Sequence, residues 1–239
     1  MKHLKRTDIE AIGKDIYTQY RKLPEIQSAR IICNIQPDLL IEKLLGFKIE
    51  YHHLSLSGEV LGITCTDEIG IEIYNDDDSE EMVLLDGKTI LIEKDLKTDI
   101  AMYGRYQFTK CHEAGHLIYK MLFPNEYGCK SGGTPVPQYS KIRKERSRNG
   151  IVNWEEWQAD VLASVILMPT ELIEQGMFWL GLGERIKLLN KVYSPSIYEK
   201  FCTLAEMLGA SKQALAYRLQ KLGMIEHNQL ENPYEYLNI

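Results

Sequence analysis

Two histidines four residues apart constrain this chain more than any other feature. They lie in KCHEAGHLIYK (110–120), as His112-Glu113-Ala114-Gly115-His116. On an α-helix, residues i and i+4 share a face, so both imidazoles can turn a nitrogen toward one ion. Glu113 sits about 100° round such a helix, close to the ion without displacing a ligand. Gly115 leaves room for other backbone to approach. A zinc site of the hydrolytic kind takes three protein ligands and keeps one position open. The helix must therefore pack against an element that supplies the third ligand.

NWEEWQADVLASVILMP (153–169) offers one. Glu156 and Asp160 are again i and i+4 on one helix face, with Ala163 keeping that face small. Glu156 is the candidate third ligand. Asp160 is placed to accept the spare N–H of a ligand histidine, which fixes its tautomer. Another reading stays open from sequence: Asn153 caps the helix, Glu156 completes a capping box, and Trp154, Trp157 and Val161 are core. Glu155 is a rival ligand, without the i+4 relation to Asp160.

RYQFTKCHEAGH (105–116) followed by EEWQADVLASVILMP (155–169) resembles the ImmA/IrrE metallopeptidase family, mainly over residues 60–169. The resemblance implies a small thermolysin-like (zincin-like) fold, a bound Zn2+ and limited proteolysis of a partner, usually a helix-turn-helix transcriptional repressor. Residue by residue it implies His112, His116 and Glu156 as zinc ligands and Glu113 as general base. It departs from the family in the 40-residue gap between His116 and Glu156, in Gln158 and Leu162 where Glu and Phe are common, and in Cys111 before the first ligand. These departures bear on substrate choice more than on chemistry. The family fold also suggests that an extended substrate adds to a sheet edge, with KTILIEKDL (88–96) as the candidate edge. For the group that steadies the oxyanion, Tyr119, Tyr139, Tyr217, Arg218 and His227 all remain open.

The rest of the chain reads as α+β. Helices are expected over 8–22 and over PDLLIEKLLG (37–46), the second starting at Pro37 and ending before Gly46. Three β-rich runs follow, VLGITCT (60–66), GIEIYN (70–75) and KTILIEKDL, giving a small antiparallel or mixed three-stranded sheet whose first two members pair as a hairpin. NDDDSEE (75–81) fails as a calcium loop, because Glu81 stands where glycine is needed and Gly87 where glutamate is needed. It reads as a solvated turn. Gly181-Leu-Gly183 lacks a preceding strand and a third glycine, so it is no nucleotide loop. From Ala101 onward the pattern reads as helical, interrupted by 124–153 with its CKSGGTPVPQ and basic KIRKERSR. A loop of that length is usually functional or mobile.

EKFCTLAEMLGASKQALAYRLQKLGMI (199–225) fits a helix-turn-helix, with Gly209 at the turn, Ser211 as cap, and Lys212, Arg218 and Lys221 adding positive charge. The division expected is a metallopeptidase domain over 1–195 and a helix-turn-helix-like region over 196–239. DNA contact through 199–225 keeps a second function open: a DNA-binding regulator with a metallopeptidase-like sensor domain. The formal charge of −6 argues against a protein that mainly coats nucleic acid. The five scattered cysteines form no CxxC pair, as in a reducing compartment. With no apolar run of signal-peptide or membrane-span length, the expectation is a cytoplasmic protein without membrane contact.

Overall fold

The computed structural model describes residues 2–29, 31–65, 67–127, 137–141 and 153–234. In chain order the helices are α1 (Arg6–Tyr20), α2 (Pro24–Gln27), α3 (Pro37–Leu39, continued as a π-helical turn, Leu40–Leu44), α4 (Lys94–Thr98), α5 (Tyr103–Leu122), α6 (Trp154–Leu167), α7 (Thr170–Leu180), α8 (Pro195–Met207) and α9 (Lys212–Lys221). The strands are β1 (Lys48–His52), β2 (Val60–Thr64), β3 (Glu68–Tyr74), β4 (Glu80–Asp86), β5 (Thr89–Glu93), β6 (Gln138–Lys141), β7 (Ile186–Leu189) and β8 (Ile225–Asn228). The architecture is α+β, as the sequence predicts. Most of 124–153, including CKSGGTPVPQ up to residue 136 and KIRKERSR from residue 142, lies outside the described residues.

The main sheet has four strands rather than three, in the order β1-β5-β2-β6. It is mixed: β1 runs parallel to β5, while β2 is antiparallel to both β5 and β6. KTILIEKDL is therefore not an edge. Its strand is enclosed on both sides, and the edges among the described residues are β1 and β6. Every residue of β5 is buried, which is the pattern of a central strand covered on two faces. Ile90 and Ile92 face the helical core, while Leu91 joins a second core with Ile63, Ile71, Ile73 and Leu85.

That second core explains why the expected hairpin between 60–66 and 70–75 does not form. β2 is buried along its whole length and needs a neighbour on each side. β3 instead turns back on β4, a strand not foreseen from sequence. The NDDDSEE run is the turn of this hairpin. Asn75 N–H donates to the Ser79 carbonyl at 2.9 Å, the Asp77 carboxylate accepts from Ser79 N–H and Oγ–H, and Asp78 takes a φ of 62°.

The helical run after Ala101 is also broken by β6, β7 and β8. β7 and β8 are four residues each and pair in parallel, Ile186 with Ile225. The pair joins residues on both sides of position 195. One hydrophobic core extends from Leu4 in the N-terminal segment to Ile225. Gly181 ends α7 in the left-handed conformation, with φ of 62°, so Gly181-Leu-Gly183 is a helix stop.

α5 and α6 lie against each other at the centre, meeting at Gly115 and Ala159. Thirteen consecutive or near-consecutive residues of α5, from Tyr106 to Tyr119, are buried. α6 is apolar on nearly all sides because α1 covers its other face, where Gly13 abuts Val165. Among the described residues no single helix is long and apolar enough to cross a membrane.

Candidate metal centre

Helix periodicity sets the first half of the site. His112 and His116 project from one face of α5, and both side chains are almost wholly buried. Their Nε2 atoms lie 3.2 Å apart. α6 supplies the other half. Asn153 caps it, accepting from the backbone N–H of Glu155 at 3.0 Å and Glu156 at 3.4 Å. The cap thus exists as one sequence reading had it, yet the Glu156 carboxylate turns to the histidines. Its Oε2 is 3.3 Å from His112 Nε2 and its Oε1 3.3 Å from His116 Nε2. Glu155 approaches the other side of His116, with 3.9 Å to Nδ1.

Asp160, one turn beyond Glu156, holds His112 Nδ1 at 3.0 Å. An imidazole that donates from Nδ1 presents a lone pair at Nε2. That lone pair meets a carboxylate and a second imidazole, so positive charge belongs at the centre of the group. The titration of the two side chains follows the same logic, with a proton supplying that positive charge. Burial pulls His112 down, but hydrogen bonds to Asp160 and Glu156 and the nearby Glu113 and Asp160 charges outweigh it and push it up to about 10. Burial raises Glu156, and the hydrogen bonds and charges of His112 and His116 reverse this, leaving it well below the usual carboxylate range.

Glu113 is fully buried; among the described residues no hydrogen bond of ordinary geometry reaches its carboxylate, and the Ser140 hydroxyl is the donor beside it. Burial holds its carboxyl above the ordinary range, against the lowering effect of His112 and His116. It lies under Gly62 of β2: a Cβ at that position would come within 2.6 Å of Glu113 Oε1. Opposite Gly62 in register is Ser140 of β6, on the sheet edge beside the site. Cys111, next to the first histidine, is buried and its thiol is pushed up to about 12, which leaves it inert.

A cleft of about 490 Å³ opens at the His112–Glu156 edge. α5 and α6 form two walls, Ser140 of β6 a third, and the start of α9 the fourth, through Ser211, Gln213, Ala214 and Tyr217. α9 is brought there by contact at Gly104, where an added Cβ would lie 2.5 Å from Ser211 N. Of the five oxyanion candidates, Tyr217 is the one that lines this cleft. Tyr119 is buried and donates to the Gln158 carbonyl, and Tyr139 neighbours Ser140 on the opposite face of β6. His227 lies on β8, away from the cleft lining. Arg218 is buried and paired with Glu10, and its guanidinium also donates to the Met168 carbonyl and Thr170 Oγ1. The Leu-Met-Pro segment after α6 is thus the seat of an arginine from α9, which removes Arg218 from any exposed basic face.

Gly62, Ser140 and Gly104 were not singled out in the sequence. The signal for Gly62 was present: a glycine inside a β-rich run marks a close approach. A second cluster, His53, Glu93 and Asp95, has a structural role, since Glu93 caps α4 and also accepts from Leu54 N–H at 2.8 Å. No protein-family model matches the chain, and no curated protein matches it.

Proposed function

We propose that this chain is a zinc-dependent metallopeptidase that performs limited proteolysis of a partner protein. The single observation behind this reading is the convergence of three ligand side chains, two imidazoles and one carboxylate, each of whose oxygens faces one of the imidazoles. The Nε2 atoms of His112 and His116 and the Glu156 carboxylate oxygens stand 3.2–3.3 Å apart. A tetrahedral zinc with bonds of about 2.0–2.1 Å sets its ligands about 3.3–3.4 Å apart. Two imidazoles and a carboxylate also suit zinc chemically. Zinc held there supplies Lewis acidity and lowers the pKa of water to about 7.

The protein groups divide the remaining tasks. Asp160 orients His112. Glu113, desolvated and beside the Ser140 hydroxyl, is poised to take a proton from the attacking water and deliver it to the leaving amine. The β6 edge offers backbone groups to an extended substrate, replacing KTILIEKDL in that role. Tyr217 offers a hydroxyl in the cleft for the developing oxyanion. The partner class, a helix-turn-helix repressor, rests on the ImmA/IrrE resemblance carried by the two motifs.

α8, the turn at Gly209 and α9 are read as a helix-turn-helix that docks on the peptidase core rather than one that reads DNA. The start of its second helix faces the cleft, and Arg218 is spent on Glu10. A DNA reader would use such an arginine on phosphates, and here its guanidinium is buried in an internal pair. No shift of mixed duplex DNA at physiological salt is the expected result.

Metal content of the purified protein tests the reading. About one zinc per chain is expected, lost in Glu156→Ala and kept in Glu155→Ala. Glu113→Gln should keep the zinc and abolish cleavage of the partner. Wild-type protein that takes up no zinc would sink the proposal.

A further inference from the structure

The cleft also carries information about what it accepts. Five of the side chains lining it carry charge: Arg6, Arg105, His112, Glu156 and Asp160. Three of these are occupied with one another, through His112. The two guanidiniums are not. Arg6 lies over the Trp157 ring, 5.8 Å from its centroid, and neither arginine forms an ion pair among the described residues. In a chain of net charge −6, the cleft thus holds two guanidiniums that no carboxylate among the described residues contacts.

We propose that this cleft selects a substrate segment bearing an Asp or Glu side chain, with Arg105 as the specificity-determining residue and Arg6 in support. The inference rests on the peptidase reading and adds the substrate's chemistry to it. Arg105 precedes His112 by seven residues on α5, two turns along the same face. That is about 10 Å along the axis. A peptide running along α5 at about 3.3 Å per residue would bring a side chain about three residues from the scissile bond to Arg105. Phe108 and Thr109 line the intervening turn and leave no charge between the two points. A guanidinium with no carboxylate partner among the described residues can bind a carboxylate through paired N–H donors, and Arg105 is exposed at the cleft mouth where a substrate side chain can reach it.

Selection from a random dodecapeptide display library on zinc-loaded Glu113→Gln protein tests this without relying on turnover. Selected peptides should show about tenfold enrichment of Asp and Glu at one position, the discrimination of a single charge-assisted pair. Arg105→Gln in the same background should lose that enrichment, and Arg6→Gln should weaken it. Peptides without an acidic position, an acidic position unchanged in Arg105→Gln, or no selected peptides would each overturn the inference. Zinc content measured on the same preparations separates this from the parent reading. Failure with zinc bound in a Glu156-dependent way removes the specificity alone, while absence of zinc removes the peptidase assignment.

Discussion

Glu113 and Gly62 are packed so closely that a methyl group on Gly62 would stand 2.6 Å from Glu113 Oε1 and 2.9 Å from its Cδ. The atoms met are the head of the carboxylate proposed as general base, so a side chain at position 62 moves that head. Gly62→Ala should keep zinc, because no ligand is touched, and lower kcat on the partner protein by about 10²-fold, as misplacement by about 1 Å does. Unchanged kcat in this variant would show that Glu113 need not sit where β2 holds it.

Asp160 reaches the centre through His112 Nδ1, at 3.0 Å. Asp160→Asn keeps the shape but removes the charge that raises ligand basicity. Zinc affinity measured by chelator competition should fall by about 10–100-fold. Wild-type affinity would mean that the orientation of His112 is fixed by packing alone.

Tyr217 brings the C-terminal helix pair into the proposed chemistry. Tyr217→Phe deletes one hydroxyl from a residue that is 43% exposed, so stability should be unaffected. kcat should drop by about 10²-fold with KM and zinc content held, the pattern of a donor used in the transition state. A change confined to KM would instead assign Tyr217 to substrate binding.

Glu10 answers a buried charge: Arg218 is 1% exposed, and its Nη2 donates to Glu10 Oε2 at 2.9 Å. Glu10→Gln leaves the guanidinium without its counter-charge and should destabilise the fold by about 3 kcal/mol in urea unfolding. Arg218→Met, which removes the charge with it, should cost less. Equal losses in the two variants would show that packing rather than charge dominates this contact.

Part of this molecule was legible in the chain because the signals are local. His112, Glu113 and His116 share a pentapeptide, and Glu156 and Asp160 share a helical turn, so helix geometry alone brings each set to one face. The Asn153 cap, the stop at Gly46 and the turn at NDDDSEE are likewise written in neighbouring residues. Pairing is another matter. KTILIEKDL reads as a strand, but whether it is an edge or a centre depends on β1 and β2, residues remote in sequence that bury its two flanks. Gly62 acquires its meaning only from Glu113, 51 positions on. Arg218 reads as a DNA-facing charge until Glu10 meets it, 208 positions away. The sequence by itself determined which residues are the candidates for the chemistry and which face of its own helix each occupies. Tertiary structure alone decided which faces meet, because burial is a property of contacts between segments and no local pattern encodes the partner.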